Sequence, residues 1–257
     1  MLIDPTLDQM LTYCAGDPIE RVFLEDAARR GHSRFRGVLG DDGLEGLCYF
    51  GANVVPSGRG CWEFAGEAAN RATRMIIGQE DAVSELWSAA QLVMPSPRED
   101  RPGQPVYVLG QPPAPGSSGL RPATLHDLDL LVPACALTHE EELGVDPLRR
   151  DPVGFRRRTA AQIEEGRSWL WVENGTILFK AEASAWTPSA VQLQQVWVDP
   201  EARRMGNATR GLSDLCRLLL DRTPMVCLFV RPENGEALGL YEKIGMRQEG
   251  TYRSVLF

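Results

Sequence analysis

Short apolar spans and their spacing are most regular in the second half of the chain. SWLWVE (168–173), TILFKAEASAW (176–186) and AVQLQQVWV (190–198) are rich in β-branched and aromatic residues and read as strands. Asn174-Gly175 joins the first two, and this dipeptide favours a tight hairpin because both residues tolerate positive φ. Apolar positions three and four apart predict helices over 206–220 and 234–244, with the strand MVCLFV (225–230) between them. Upstream lie a short strand at 120–124, a helix from His126 toward Leu137, the charged loop THEEELGVDP, and a second helix over 152–165. A last pair of strands is expected in MRQEGTYRSVLF. The order β-α-α-β-β-β-α-β-α-β-β describes an α+β domain with a mixed, mostly antiparallel sheet.

The first half repeats this order more faintly. A hairpin at 35–55, a helix at 63–72, a strand at 73–78, a helix at 80–91 and a strand at 105–110 follow one another. Such an order fits an internal duplication, and it equally fits the chance alternation common in α+β chains. QPPAPGSSG (111–119) lacks periodicity and is built from Pro, Gly and Ser, so the boundary between two domains, 1–118 and 119–257, is placed there. The Pro-rich stretch at 95–105 reads as a further irregular connection.

Composition narrows the classes. The chain has 257 residues, 43% hydrophobic and 24% charged, with a formal net charge of −8. That acidity argues against a broad nucleic-acid surface. The six cysteines form no C-x-x-C pair and sit among apolar neighbours, which suits reduced core residues of a cytoplasmic protein and not metal ligands. The first residues, MLIDPTLDQM, lack the basic segment of a secretory signal, and no apolar run is long enough to span a bilayer.

The chemistry concentrates behind the strand at 190–198. There VDPEARRMGNA places Arg203, Arg204, Gly206, Asn207 and Ala208 where a strand gives way to a helix. The first N–H groups of a helix have no partner within it, so such a turn attracts an anion. VWVDPEARRMGNA is similar to the V-x-P-x-x-[RQ]-x-x-G-x-[GA] motif of the GNAT superfamily of N-acyltransferases, matching it at Val198, Pro200, Arg203, Gly206 and Ala208. NGEALGLYEKIGM resembles that family's N-x-x-A-x-x-L-Y-x-x-x-G-[FM], at Asn234, Ala237, Leu240, Tyr241, Gly245 and Met246. The two segments stand in the family's order, one helix and one strand apart. YFGANVVP (49–56) extends the resemblance to actinobacterial GNAT proteins that carry an uncharacterised N-terminal domain. Asn207, where an apolar residue is usual, and Gly211, where leucine is usual, depart from the pattern.

The resemblance implies a GNAT fold preceded by a smaller, GNAT-like or otherwise supporting domain without its own catalysis. It implies that Arg203, Arg204, Gly206, Asn207 and Ala208 hold the donor's diphosphate, that the strand at Val196 and Val198 pairs by its backbone with the pantetheine arm, and that Asn234 borders the donor. Tyr241 is then the acid that protonates the leaving thiolate, although an isolated tyrosine at this spacing would be a core aromatic. For the base, Glu182 lies in a strand otherwise made of apolar residues, where burial would raise its pKa; a solvent-facing glutamate is an equal reading. His139 and Glu140 to Glu142 fall in the loop where acceptors bind in the superfamily, but as a run of charge they read as solvated. Gln192, Gln194 and Gln195 are unusual in a strand, and Gln195 is the one expected beside the thioester.

The expected activity is transfer of an acyl group from a phosphopantetheine thioester, acyl-CoA or an acyl carrier protein, to the amine of a small molecule, without a metal. Arg149, Arg150, Arg156, Arg157 and Arg158 are either a solvated helix face or a dock for an acidic partner, an acyl carrier protein or an RNA backbone. An aminoacyl-tRNA-dependent transferase and a non-catalytic CoA-binding GNAT protein are the alternatives.

Overall fold

The computed structural model describes residues 1–32 and 34–257. In the first half come β1 (Leu2–Ile3), α1 (Leu7–Ala15), α2 (Val22–Arg29), β2 (Phe35–Leu39), β3 (Leu44–Phe50), β4 (Asn53–Gly58), α3 (Ala65–Ala69), β5 (Met75–Gln79), α4 (Glu80–Ala90) and β6 (Glu99–Leu109). The second half has β7 (Arg121–Pro122), α5 (Leu128–Leu143), α6 (Pro147–Arg150), α7 (Pro152–Glu164), β8 (Ser168–Glu173), β9 (Thr176–Trp186), β10 (Ala190–Trp197), α8 (Asn207–Leu220), β11 (Met225–Phe229), α9 (Gly235–Lys243) and β12 (Arg247–Leu256).

The strands of the described residues join one twelve-stranded sheet in the order β1-β2-β3-β4-β5-β12-β6-β11-β10-β9-β8-β7. The parallel pairs among them are β4 with β5 and β10 with β11. Thus β2 to β6 and β8 to β12 trace the same course, and the repetition faint in the sequence is a repetition in space. The halves exchange their last strands. β6 pairs with β11 of the second half, and β12 pairs with both β5 and β6 of the first. A helix of the first half, α2, lies across this seam on β9 and β10. It is fixed by a bidentate ion pair from Arg167 to Asp26 (2.7 and 3.0 Å), both largely buried.

Several elements differ from their expected form. The Pro-rich stretch at 95–105 runs largely within β6, because a bulge takes up Pro102 and Gly103: three steps of β6, Arg101 to Gln104, oppose two of β12. The terminal segment is one strand and not a pair, since Glu249 is taken up as the extra residue of another register shift and the chain does not turn at Gly250. The run Thr138 to Leu143 is helical, not a loop, and α5 stops only at Gly144, whose φ of +65° suits a C-terminal cap. The connection at 111–119 is pinned along α8. Asp214 accepts from the N–H groups of Gly116 and Ser118 (2.7 Å each), and Arg217 donates to the Pro113 carbonyl (2.8 Å). Asn174 and Gly175 take positive φ in the β8–β9 turn.

On one face of the second-half sheet, α8 and α9 cover a core that includes Trp169, Phe179, Leu193, Leu212, Leu215 and Tyr241. The unusual Gly211 belongs to this packing: a Cβ there would stand 2.3 Å from Phe179 Cγ. Helices α5 and α7 cover the other face around Leu131, Phe155, Leu170 and Trp197. All six cysteines are buried.

Candidate active site

The site begins where two strands part. β10 and β11 pair only at Ala190–Gln192 against Met225–Cys227. Beyond that, β10 stays with β9, and β11 stays with β6. The facing edges of Leu193–Trp197 and Leu228–Phe229 therefore carry backbone groups without a strand partner, suited to an extended guest. Val196 and Val198 lie along this wedge, with Val198 in the core beneath α8.

Within the parted stretch β10 carries a bulge. Three steps from Gln194 to Trp197 oppose two from Glu182 to Lys180, and Gln195 takes φ +50°. Lys180, 1% exposed, donates to the Gln195 side-chain oxygen (3.0 Å) and to its carbonyl (3.4 Å). The Gln195 side chain is thus engaged from behind.

At the mouth of the wedge stands the turn expected to hold an anion. Asp199 accepts from the Glu201 N–H (3.0 Å) and starts a 3₁₀ turn, Pro200–Ala202. Arg203 donates to the Val198 carbonyl (3.1 Å), Arg204 takes φ +64°, and Gly206 takes φ +79° immediately before α8. No side chain caps α8, so its first-turn N–H groups remain available. A Cβ at Gly206 would meet nothing within 4 Å, so the chain is uncrowded at this turn. Asn207 is buried and donates to the Ala202 carbonyl (3.0 Å), so its side chain shapes the turn, and what it can offer a ligand is its backbone N–H. Ala208 packs on the core. Asn234 caps α9 by accepting from the Ala237 N–H (3.2 Å). Across the mouth, Glu141 meets Arg203 (3.4 Å), and its carbonyl accepts from Arg231 (3.2 Å).

Titratable groups meet from both faces of the sheet. Tyr241, 6% exposed, rises from α9 and packs near Tyr107, with ring centroids 5.7 Å apart. Burial pushes its phenol well above the ordinary value of 10, and the Glu142 and Cys216 charges add to the shift. From the opposite face Glu182 accepts from Cys135 Sγ (3.1 Å) and Gln194 Nε2 (3.3 Å), and its carboxylate lies 3.9 Å from Lys180 Nζ. Glu142, at the end of α5, is exposed to solvent. Enclosure by the surrounding protein nevertheless pushes its carboxyl up to about 7, with Lys180 opposing and Glu182 adding to the rise.

Behind β9 and β10 lies a cavity of about 370 Å³ that reaches from Cys135, Glu182 and Gln194 to Phe155, Arg158 and the first-half residue Arg30. The arginine run sits on α6 and α7. All five arginines are exposed; Arg149, Arg156 and Arg158 pair with Asp146 (3.3 Å), Asp129 (2.7 Å) and Asp151 (3.2 Å).

Glu182 and Gln195 thus stand at the β9–β10 bulge, with Val196, Val198 and the 203–208 turn along the wedge, whereas Tyr241 lies in the core under α8 and α9 beside Tyr107. Two groups of this site were not anticipated. Lys180 was not singled out, although K-A-E places Lys180 and Glu182 on one face of an apolar strand. Glu142 was set aside with its charged neighbours.

Residues 136–246 match the acetyltransferase (GNAT) family. Residues 33–131 match a domain of unknown function, DUF4081. No curated protein shows significant sequence similarity to the chain. Among solved structures, a GNAT-family acetyltransferase from Novosphingobium aromaticivorans is 16% identical, covering 93% of this chain and 97% of its own, with a TM-score of 0.59. A GCN5-related N-acetyltransferase from Kribbella flavida is 14% identical over 93% and 94%, with a TM-score of 0.58. A tandem GNAT protein from the clavulanic acid biosynthesis pathway is 12% identical over 97% and 93%, with a TM-score of 0.55. At these identities the likeness is one of fold.

Proposed function

Because residues 136–246 form an acetyltransferase domain of the GNAT family, we propose that the protein moves an acyl group from a coenzyme A thioester to the amine of a small molecule. The observation that carries this reading is the parting of β10 and β11 beside the uncapped start of α8, where Gly206 takes positive φ.

In this reading the diphosphate lies against the free N–H groups that follow Gly206, drawn there by Arg203, Arg204 and the dipole of α8. The pantetheine arm extends along Val196 and Val198, taking the hydrogen bonds that β11 does not supply. That brings the thioester to the bulge at Gln195. The acceptor enters from the α5 and α7 face, where the cavity beside Glu182 has the volume of a small-molecule site.

An ammonium ion cannot attack a thioester, so the amine must first lose a proton. Glu142, raised toward neutrality, is the base; Glu182, sought as the base from the strand pattern, supplies the nearby negative charge that helps to raise it. The amine nitrogen forms its bond to the carbonyl carbon, and the oxygen's growing charge is met by backbone N–H at the bulge. The carbon–sulfur bond then breaks, and the thiolate takes the Tyr241 proton. The products are an amide and the free thiol; of the two protons the ammonium loses, the first reaches water through Glu142, and the second, shed by the nitrogen after attack, replaces the one Tyr241 gave to the thiolate.

A carrier protein would need an entrance patch beside the 203–208 turn. The arginine run instead lies on α6 and α7, which pack with α5. That position favours free acyl-CoA as the donor. Intact-mass screening of amines with acetyl-CoA, longer acyl-CoAs and acylated carrier proteins tests the reading. Acyl transfer from the coenzyme A thioesters supports it; transfer from the carrier alone would replace the donor, and no transfer to any amine would refute it.

A further inference from the structure

We propose that Lys180 is a positioning residue for acyl transfer, one that holds the β10 bulge in the conformation that presents its backbone to the thioester. The inference rests on the acyltransferase reading, and it concerns a residue that touches neither donor nor acceptor.

A lysine with 1% exposure in the middle of a strand is costly unless its ammonium is satisfied. Here the ammonium donates to the Gln195 side-chain oxygen at 3.0 Å and to the Gln195 carbonyl at 3.4 Å, with the Cys135 thiol beside it. Its distance to the Glu182 carboxylate, 3.9 Å, is longer than a hydrogen bond. The lysine is therefore aimed at the bulge first and at the carboxylate second.

Gln195 needs such a hold. Its φ of +50° is a strained conformation for a residue with a side chain. On the β11 side this stretch lacks a strand partner, so pairing with β9 alone keeps it in place. If Gln195 relaxed into the β region, the bulge would move or vanish. A slip of one residue turns every following side chain to the other face. Val196 and Val198 would leave their positions along the wedge, and the N–H groups at the bulge would swing away from the reacting carbonyl. By clamping both oxygens of Gln195, Lys180 opposes that slip from the side away from the donor.

The proposal makes glycine at 195 a specific remedy, because glycine takes positive φ without strain. Steady-state kinetics and backbone hydrogen exchange of β10 are measured together for the wild type, Lys180→Met and Lys180→Met/Gln195→Gly. Lys180→Met is expected to lose about 10²-fold in kcat, the scale for one misplaced oxyanion donor, with the KM for acyl-CoA changed less. Exchange at 194–197 should rise in the same variant. The double variant should recover most of kcat and of the protection.

Unchanged kcat and exchange in Lys180→Met overturn the proposal. So does a double variant no better than the single one, with the acidic limb of the pH profile displaced upward, because the lysine would then act through its charge on Glu142. If Lys180→Met does not fold, the double variant alone decides: it must fold and turn over. Absence of acyl transfer by the wild type defeats the acyltransferase reading instead, and the exchange comparison still shows whether Lys180 holds the bulge.

Discussion

Replacing Tyr241 by phenylalanine removes one oxygen and keeps the ring. That ring is 6% exposed and packed beside Tyr107, so phenylalanine fills the same space. The phenol donates to no group among the described residues, and its loss should change stability by less than about 0.5 kcal/mol. The effect on catalysis is of another order. Losing a positioned acid slows a reaction by about 10²- to 10⁴-fold, roughly 3–5 kcal/mol of barrier. Burial holds the phenol well above its ordinary value of 10, so it stays protonated through the neutral range. The ratio of wild-type to variant rates should therefore be constant between about pH 6 and 9. The assay compares acetyl-CoA with a thioester whose thiol is far more acidic, alongside a urea melt. A leaving group that needs no proton should restore most of the variant's rate. Equal slowing with both thioesters would refute the assignment and make Tyr241 a residue that merely orients the donor.

Two further perturbations probe the same frame. A base with a raised pKa is inactive while protonated, so kcat/KM should climb through an acidic limb between the ordinary carboxylate value of 4.5 and about 7, then level off. Glu142→Gln should flatten that limb and lower the plateau by about 10²-fold; a limb that survives would move the base elsewhere. Gly211→Ala should destabilise the protein by about 1–3 kcal/mol in denaturant melts, although alanine favours a helix, because its Cβ would fall 2.3 Å from Phe179 Cγ. A stabilised Gly211→Ala would show that α8 shifts freely on the sheet.

Features fixed by neighbouring residues were the ones legible in the chain. The Asn174-Gly175 hairpin follows from two residues that accept positive φ. The turn before α8 follows from the order of Pro200, Arg203 and Gly206, which stop a strand and open a helix without a side-chain cap. Features that depend on distant partners were not legible. The exchange of β6 and β12 joins residues more than a hundred apart, and no local period records it. Pro102 hid a strand because its tolerance there rests on a bulge created by pairing with β12. Glu142 looked like surface charge because its place depends on α5 running on to Gly144 and ending beside Lys180 and Glu182. Lys180 itself makes sense only once Gln195, fifteen residues on, is bent toward it.

The most direct test of the account is calorimetric titration of coenzyme A into the wild type and Gly206→Ala. At φ +79° alanine is strained, so the variant's fold is first verified by its thermal melt, which should fall by no more than about 1–2 kcal/mol of stability. The added Cβ meets no protein atom within 4 Å, and in this account it takes up room that the diphosphate needs. The account predicts one binding site per chain in the wild type, and in the variant a loss of at least about tenfold in affinity, or 1.4 kcal/mol. Equal affinity in a folded Gly206→Ala, or no binding of coenzyme A by the wild type, would contradict it.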